Sequence, residues 1–274
     1  MAKPTLTNAA KPATYDVEAY NERGEMVPTA IAGEHPLTIY LDKREIVTLM
    51  TLGHAPEALV IGYLRNQRLV DSIADIASVQ VDWETDSAAV TTLRQKEIDL
   101  EKKTVTSGCG QGTMFGNLME EIDQIQLRKD VVLEDTNLFV LIEKVRKHET
   151  IYKQAGAVHG CALCTTAGEI LMFVEDVGRH NAVDAIAGFM WLDAIDGSDK
   201  VFYTTGRLTS EMVIKCAQMR IPFLVSRSGL THMGHQIAKK VGITMLGRAS
   251  GRHYLAFTGK ERLVRSSPQP TALA

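Results

Sequence analysis

The chain has 274 residues, 45% of them hydrophobic and 23% charged, so it is long enough to bury a substantial core. Its 30 basic and 33 acidic residues give a formal net charge of −3, which excludes a global positive field for nucleic acid. The N-terminus lacks the apolar stretch of a signal peptide, and no segment reaches membrane-spanning length, so we expect a cytoplasmic protein with no membrane partner. In that reducing compartment the four cysteines, Cys109, Cys161, Cys164 and Cys216, are expected to be thiols and candidates for catalysis or metal binding.

The first half of the sequence predicts a small α+β domain over residues 15–105. Residues 1–14 precede it and are rich in Pro, Thr and Ala, a composition typical of a disordered tail. Runs of strand-forming residues and a helical spacing of apolar residues after Pro56 define its elements. We predict a hairpin of two strands, a helix and two further strands at 37–41, 46–50, 56–69, 79–83 and 88–92.

A glycine-rich segment at 106–117 follows and contains Cys109. Glycines at positions 108, 110, 112 and 116 argue against a helix or strand and predict a mobile loop. Because thiols without chemistry are usually buried in regular elements, a cysteine here indicates a nucleophile whose thiolate is stabilised by backbone N–H groups. The alternative is an inter-domain linker that merely contains a cysteine, and composition alone does not decide between them.

The second half, 118–264, has the pattern of an α/β domain, and a Pro- and Ser-rich tail predicted to be disordered follows at 265–274. We predict helices near 136–152, 183–194, 209–219 and 231–241, and strands at 158–164, 169–174, 201–203, 221–225, 243–246 and 254–257. This alternation predicts a largely parallel sheet with helices on its faces. Because ligands of such sheets bind beyond the carboxyl ends of the strands, loops 205–207, 226–228 and 247–248 are candidate site loops.

Several segments, in this order, resemble the formate dehydrogenase accessory protein family, FdhD, whose members are sulfur carriers for molybdenum cofactor maturation. The resemblance runs from about residue 34 to 258, and the ten residues ending at Asp184 are its most specific signature. The segments that carry it are 34–37, 61–64, 107–110, 175–184, 205–213 and 221–225.

The resemblance implies an α/β fold, with a cytidine-deaminase-like β/α sandwich beside the smaller N-terminal α+β domain. It also implies a sulfurtransferase, in which a cysteine persulfide accepts sulfur from a cysteine desulfurase. The acceptor is the Mo-bis(molybdopterin guanine dinucleotide) cofactor, on which formate dehydrogenase depends. Cys109 is then the catalytic residue, no catalytic metal of the chain's own is expected, and a homodimer is a further expectation from the family.

The glycine loop departs from the family pattern, because Gly112 replaces the second cysteine of the family's Cys-x-x-Cys. A lone thiolate at Cys109 can attack a donor persulfide and hold the sulfur as Cys–S–SH. It cannot release sulfide by closing a disulfide within the loop. Sulfur must then pass directly to the metal, or another thiol must resolve the persulfide, and Cys161 or Cys164 is a candidate for that thiol.

Cys161 and Cys164 form the only Cys-x-x-Cys of the chain, with His159 two residues upstream. Zinc deaminases hold their metal with His and Cys ligands, but the Glu of their His-x-Glu is absent here. On a strand the two cysteines point to opposite faces, so we predict that they fill the core rather than bind zinc. Cys216 lies within a predicted helix and is also predicted to be a core residue.

The segment 248–253 is the predicted cofactor site, because pyrophosphate needs backbone N–H groups, arginines and glycines that allow close approach. It joins two strands and aligns without gaps with the family's cofactor segment. The resemblance implies as cofactor-binding residues Arg248, Ala249, Ser250, Gly251, Arg252 and His253. The alternative is a basic hairpin exposed to solvent.

A second basic group lies at a predicted helix start, where Arg179, His180 and Asn181 follow a glycine. With Arg207 they are candidates for secondary contacts to phosphate or guanine. The alternative is structural, because Asp176 or Asn181 can cap the free N–H groups of the helix.

Two rival functions stay open. A zinc-dependent nucleobase deaminase requires stoichiometric zinc and a Glu that acts as general acid and base beside the ligands. A chaperone that binds the molybdenum cofactor without moving sulfur keeps the same binding surface but makes Cys109 dispensable.

Overall fold

The computed structural model describes residues 3–94, 122, 124–148 and 150–265, and the backbone of 104–105 and 112–113. The helices are α1 Pro56–Asn66, α2 Asp135–His148, α3 Ile151–Ala155, α4 Arg179–Leu192, α5 Ser210–Gln218 and α6 His232–Val241. The strands of the first half are β1 Thr5–Leu6, β2 Thr14–Tyr20, β3 Met26–Ala32, β4 His35–Leu41, β5 Arg44–Thr51, β6 Ile76–Asp82, β7 Ser87–Thr92, β8 Thr104–Val105 and β9 Gly112–Thr113. Those of the second half are β10 Leu133–Glu134, β11 His159–Thr165, β12 Ile170–Asp176, β13 Lys200–Thr204, β14 Phe223–Ser226, β15 Thr244–Ser250, β16 His253–Thr258 and β17 Leu263–Val264. Across the described ranges, no helix combines the length and apolar character needed to cross a bilayer.

A five-stranded sheet in the order β1-β6-β7-β4-β5 forms the first half, and β4 and β5 pair as the predicted hairpin. The prediction of a disordered tail over 1–14 is wrong for residues 5–14. β1 pairs in parallel with β6, and β2 begins at Thr14. The hydroxyl of Thr7 donates to the carbonyl of Val79, and the N–H of Ala9 donates to the Glu57 carboxylate at 2.8 Å. These partners are distant in sequence, which is why local composition predicts a tail.

A six-stranded sheet in the order β12-β11-β13-β14-β15-β16 forms the second half. The prediction of a largely parallel sheet is wrong, because only the pairs β13–β14 and β14–β15 are parallel. Those pairs are joined through α5 and α6, whereas residues 166–169 join β11 to β12 and 251–252 join β15 to β16. Connections this short permit only antiparallel pairing.

Helices cover both faces of the six-stranded sheet. α2 buries Leu138 and Val145 with one face of the sheet, while apolar residues of α4, α5 and α6 pack on the other. Alternation along β11 places Cys161 in the larger core and Cys164 in the smaller one, as expected for a strand buried on both faces. The α/β class is confirmed, and a sheet enclosed in this way fits the cytidine-deaminase-like arrangement.

The two halves share one hydrophobic core, which extends from the five-stranded sheet through α1 and α4 to the six-stranded sheet. Glycines allow the helix backbones to touch. A Cβ at Gly62 would lie 1.6 Å from the carbonyl oxygen of Asp184, and one at Gly188 would lie 1.9 Å from that of Ala58. The division into domains at 15–105 and 118–264 stays a prediction. The two regions are in close contact, because the backbones of α1 and α4 touch at these glycines.

Candidate functional site

The three predicted site segments lie together near the carboxyl ends of β13, β14 and β15. The first two are loops that follow their strands, whereas residues 247–248, predicted as a loop, belong to β15, which extends to Ser250. The hydroxyl of Ser226 donates to the carbonyl of Gly206 at 2.6 Å, which joins the first loop to the second. The N–H of Arg248 donates to the carbonyl of Ser228 at 2.9 Å, which joins the second to the third. Adjacent parallel strands end at one edge of a sheet, so the site is built from residues far apart in sequence.

A cleft of about 920 Å³ lies beside these loops, between α2 and the turn from β15 to β16. This volume is sufficient for a nucleotide-sized ligand. Phe139 and Tyr203 contribute aromatic surface to it. Its charged lining residues are Asp135, Glu143, Arg146, Arg227 and Arg252. Three guanidinium groups can bind phosphates, and the two carboxylates can accept hydrogen bonds from a base.

Four of the six predicted cofactor residues, 249–252, line this cleft. Arg248 and His253 are exposed but do not belong to its lining. The pairing of β15 with β16 shifts register between Gly247 and Ser250, and Arg248 has a φ of +54°. Such a bulge turns side chains away from the direction that simple alternation predicts. The cofactor role of the segment stays a prediction.

The contribution of α2 to the cleft is absent from the sequence-based prediction. Asp135, Phe139, Glu143 and Arg146 recur at helical spacing and share a face of this helix. The adjoining face packs into the core through Leu138 and neighbouring apolar residues. The helical spacing of these polar residues could have indicated a shared face. The local sequence does not indicate that this face lies beside the edge of the six-stranded sheet.

Asp176 has a structural role before the start of α4, although the N–H that it binds belongs to the N-cap, Gly178, and not to the free N–H groups inside the helix. Its carboxylate accepts hydrogen bonds from the N–H of Gly178 at 2.9 Å and from the Asn181 side chain at 2.8 Å. The hydroxyl of Thr51 and the N–H of Leu52 donate to its other oxygen. Asp176 and Asn181 therefore connect α4 to β5 and the residue that follows it, rather than facing a ligand.

A buried ionic cluster, which the sequence analysis did not identify, holds α4 against α1 and α5. Lys215 Nζ lies 2.8 Å from Asp184 and 3.4 Å from Glu211, and Asn66 donates to Asp184 at 2.7 Å. Burial alone would lower the pKa of Lys215, but the two carboxylates raise it. Burial and the charge of Lys215 lower the pKa of His180 to about 3. The cluster is a structural element, because its members have little or no contact with solvent.

Three of the four cysteines are free thiols in the core, as predicted. Cys161, Cys164 and Cys216 have 0% exposure. Burial raises the pKa of Cys161 and of Cys164 to about 12, so both stay protonated and unreactive at neutral pH. Their opposite faces and complete burial argue against either one as the resolving thiol. Among the described side chains, no three His, Cys, Asp or Glu come together as metal ligands.

Cys109 lies outside the described residues. The prediction of a loop over 106–117 is wrong at Gly112, because the backbone of β9 pairs antiparallel with β8 and sets Val105 opposite Gly112. Glycine weakens a strand without forbidding it, so a pair this short tolerates one.

Fold and site together define an α/β protein with an arginine-lined cleft at the carboxyl ends of parallel strands. The chain belongs to the FdhD/NarQ family, whose sequence model matches residues 32–264. This confirms the resemblance drawn from the sequence motifs.

Relatives and a solved structure match nearly the whole chain. Sulfur carrier protein FdhD of Listeria monocytogenes is 31% identical over 242 residues, covering 86% of this chain and 92% of the relative. The protein of the same name from Sulfurisphaera tokodaii is 30% identical, covering 89% of this chain and 95% of the relative. A crystal structure described as a formate dehydrogenase accessory protein from Desulfotalea psychrophila has a TM-score of 0.76 and 26% identity, covering 92% of this chain and 100% of that one.

Proposed function

We propose that this chain is a sulfur carrier that takes sulfur from a cysteine desulfurase and passes it to the Mo-bis(molybdopterin guanine dinucleotide) cofactor for a formate dehydrogenase. Membership of the FdhD/NarQ family and relatives named as sulfur carriers support this role. The observation that carries the choice of nucleophile is the complete burial of Cys161, Cys164 and Cys216. Cys109 is the one cysteine of the chain outside that group.

Loading requires only thiol chemistry. The thiolate of Cys109 attacks the outer sulfur of the donor's persulfide, forming a new S–S bond while the donor's cysteine leaves as a thiolate. Cys109 then carries the sulfur as Cys–S–SH. The outer sulfur of the persulfide needs two electrons to reach the sulfide level. Because Gly112 removes the neighbouring thiol and the remaining cysteines are buried, these electrons would come from a reduced cofactor in direct delivery or from a thiol of another molecule, which would form a disulfide with Cys109.

The acceptor site in this proposal is the arginine-lined cleft. Its volume of about 920 Å³, its arginines Arg146, Arg227 and Arg252, and the glycine at 251 suit a dinucleotide's phosphates. Phe139 offers a surface on which a guanine can stack.

Sulfur loading tests the proposal. The protein is incubated with a cysteine desulfurase and L-cysteine, and peptide masses locate the gain of one sulfur atom. We expect the persulfide on Cys109, and we expect Cys109→Ala to lose both loading and activation of a formate dehydrogenase. Cys164→Ala is the matched control, since it removes a buried thiol and should leave loading unchanged.

Normal activation by Cys109→Ala would contradict sulfur transfer and leave the cofactor chaperone as the function. Loading on another cysteine would show that the nucleophile is assigned wrongly.

A further inference from the structure

Arg179, the first residue of α4, carries a buried positive charge that the proposed function does not use. It is 5% exposed, and its Nε and Nη2 atoms have no hydrogen-bond partner among the described residues. A buried guanidinium is costly unless it is paired, and in native proteins such groups are generally satisfied by a partner. An unsatisfied one is therefore a candidate for binding an anion.

The surroundings of Arg179 are positively charged. Burial lowers the pKa of the half-buried His159, and the charges of Arg179, Arg207 and Arg227 lower it further. These three guanidinium groups therefore lie close enough to His159 to repel its proton. Its ring nitrogen Nδ1 lies 3.4 Å from the hydroxyl of Thr205.

The carboxylates that precede α4 accept their hydrogen bonds from other residues. Glu175 accepts hydrogen bonds from the N–H groups of Thr150, Ile151 and Tyr152. Asp176 accepts four hydrogen bonds, from Thr51, Leu52, Gly178 and Asn181. Among the described residues, neither carboxylate accepts a hydrogen bond from the Nε or Nη2 of Arg179.

The backbone around Arg179 also suits an anion. α4 has 14 residues, and its N-cap, Gly178, makes no side-chain capping bond, so the positive end of the helix faces this position. Gly206 makes room for the arginine, because a Cβ there would lie 2.7 Å from Arg179 Cδ. The side chain is held between the helix start and the loop after β13.

We propose that Arg179, His159 and Thr205 form a second anion site, distinct from the 248–253 segment, that binds a phosphate group or a similar tetrahedral oxyanion. Arg227 lines the arginine-lined cleft and also acts on His159, so the two sites adjoin. The anion is then either the phosphate of a nucleotide seated in the cleft or a free oxyanion.

Calorimetry on the full-length protein tests the site with three probes: inorganic phosphate, pyrophosphate and GDP. We expect Arg179→Gln to weaken binding of at least one probe by about ten-fold, the typical effect of losing a charge-assisted hydrogen bond. Arg23→Gln, in an exposed turn of the β2–β3 hairpin, is the matched control and should bind as the wild type does. Dependence on Arg179 for phosphate indicates a free oxyanion, and dependence for GDP alone indicates a nucleotide phosphate.

Thermal unfolding separates a ligand site from a structural role. If Arg179 awaits an anion, Arg179→Gln should keep or raise the Tm of the unliganded protein and abolish the rise in Tm that the probe gives the wild type. Arg207→Gln, at an exposed position, is the second variant and should weaken the same probe several-fold.

Unchanged affinity of Arg179→Gln for all three probes would overturn the site. If that variant does not fold, unchanged affinity of Arg207→Gln and of His159→Gln would do so. Cys109→Ala should bind the probes normally, so failure of sulfur loading and failure of this site give different results.

Discussion

Asp184 and Arg179 lie five positions apart on α4, and both are buried, yet their charged groups differ in the partners that surround them. Asp184 is paired with Lys215 and receives a hydrogen bond from Asn66, whereas two nitrogens of Arg179 find no acceptor among the described residues. Asp184 has an ionic partner within the chain, whereas Arg179 has none among the described residues. The comparison teaches that burial alone does not identify a functional charge, and that a buried charge without an ionic partner is the better candidate for binding a ligand.

Removing the cation of the paired cluster should have the largest effect. Lys215→Met leaves Asp184 and Glu211 as uncompensated buried charges, which typically costs about 3–5 kcal/mol in the free energy of unfolding. Denaturant unfolding measures it, with the exposed Lys239→Met as the control. A loss below about 1 kcal/mol would mean that the cluster is not the structural element described here.

Separating the helices that enclose the paired cluster should have the next largest effect. In Gly62→Ala the new methyl group would meet the carbonyl of Asp184, so α1 and α4 must move apart, at a cost of about 1–3 kcal/mol. Gly229→Ala is the matched control, since a Cβ added at that position would meet nothing within 4 Å. Equal stability of the two variants would show that the close helix contact is dispensable.

Near neutral pH, the smallest effect should be the pH dependence that His180 contributes. Its folded pKa is lowered to about 3, so below its usual value near 6.5 the unfolded chain binds a proton that the folded one does not. Stability should therefore fall with decreasing pH across that window, by at most about 1.4 kcal/mol per pH unit from this residue.

His180→Gln should show a shallower dependence than the wild type when both are unfolded in denaturant at a series of pH values. Identical slopes would mean that His180 is not held neutral by its surroundings.

Local patterns were sufficient for much of the fold. The β4–β5 hairpin, α1 and the alternation from β13 to β16 were predicted because their apolar residues repeat with the period of the element. β1 was missed because its hydrogen bonds go to Ser78 and Val79, far along the chain. Strand direction was missed because it depends on the lengths of the connections rather than on the pattern within a strand.

The parts of the site that depend on local sequence were predictable, and those that depend on contacts between distant residues were not. The loops after β13 and β14 were found from the rule for strand ends, whereas residues 247–248, predicted as a loop, belong to β15. The bulge that turns Arg248 away and the pairing of Lys215 with Asp184 both depend on register and packing, which no local pattern encodes. The sequence made Arg179 and Asn181 equal candidates for ligand contacts. Only the hydrogen bonds of the structure distinguish them, because Asn181 donates to Asp176 while two nitrogens of Arg179 have no acceptor among the described residues.

The contact of α1 with α4 through Gly62 and Gly188 also bears on synthesis. A ribosome releases α1 long before residue 192, the end of the helix that covers it. Until then the nascent first half carries an uncovered apolar helix, the kind of surface that chaperones bind. The hydrophobic core that the two halves share can therefore be completed only after the second half has been synthesised.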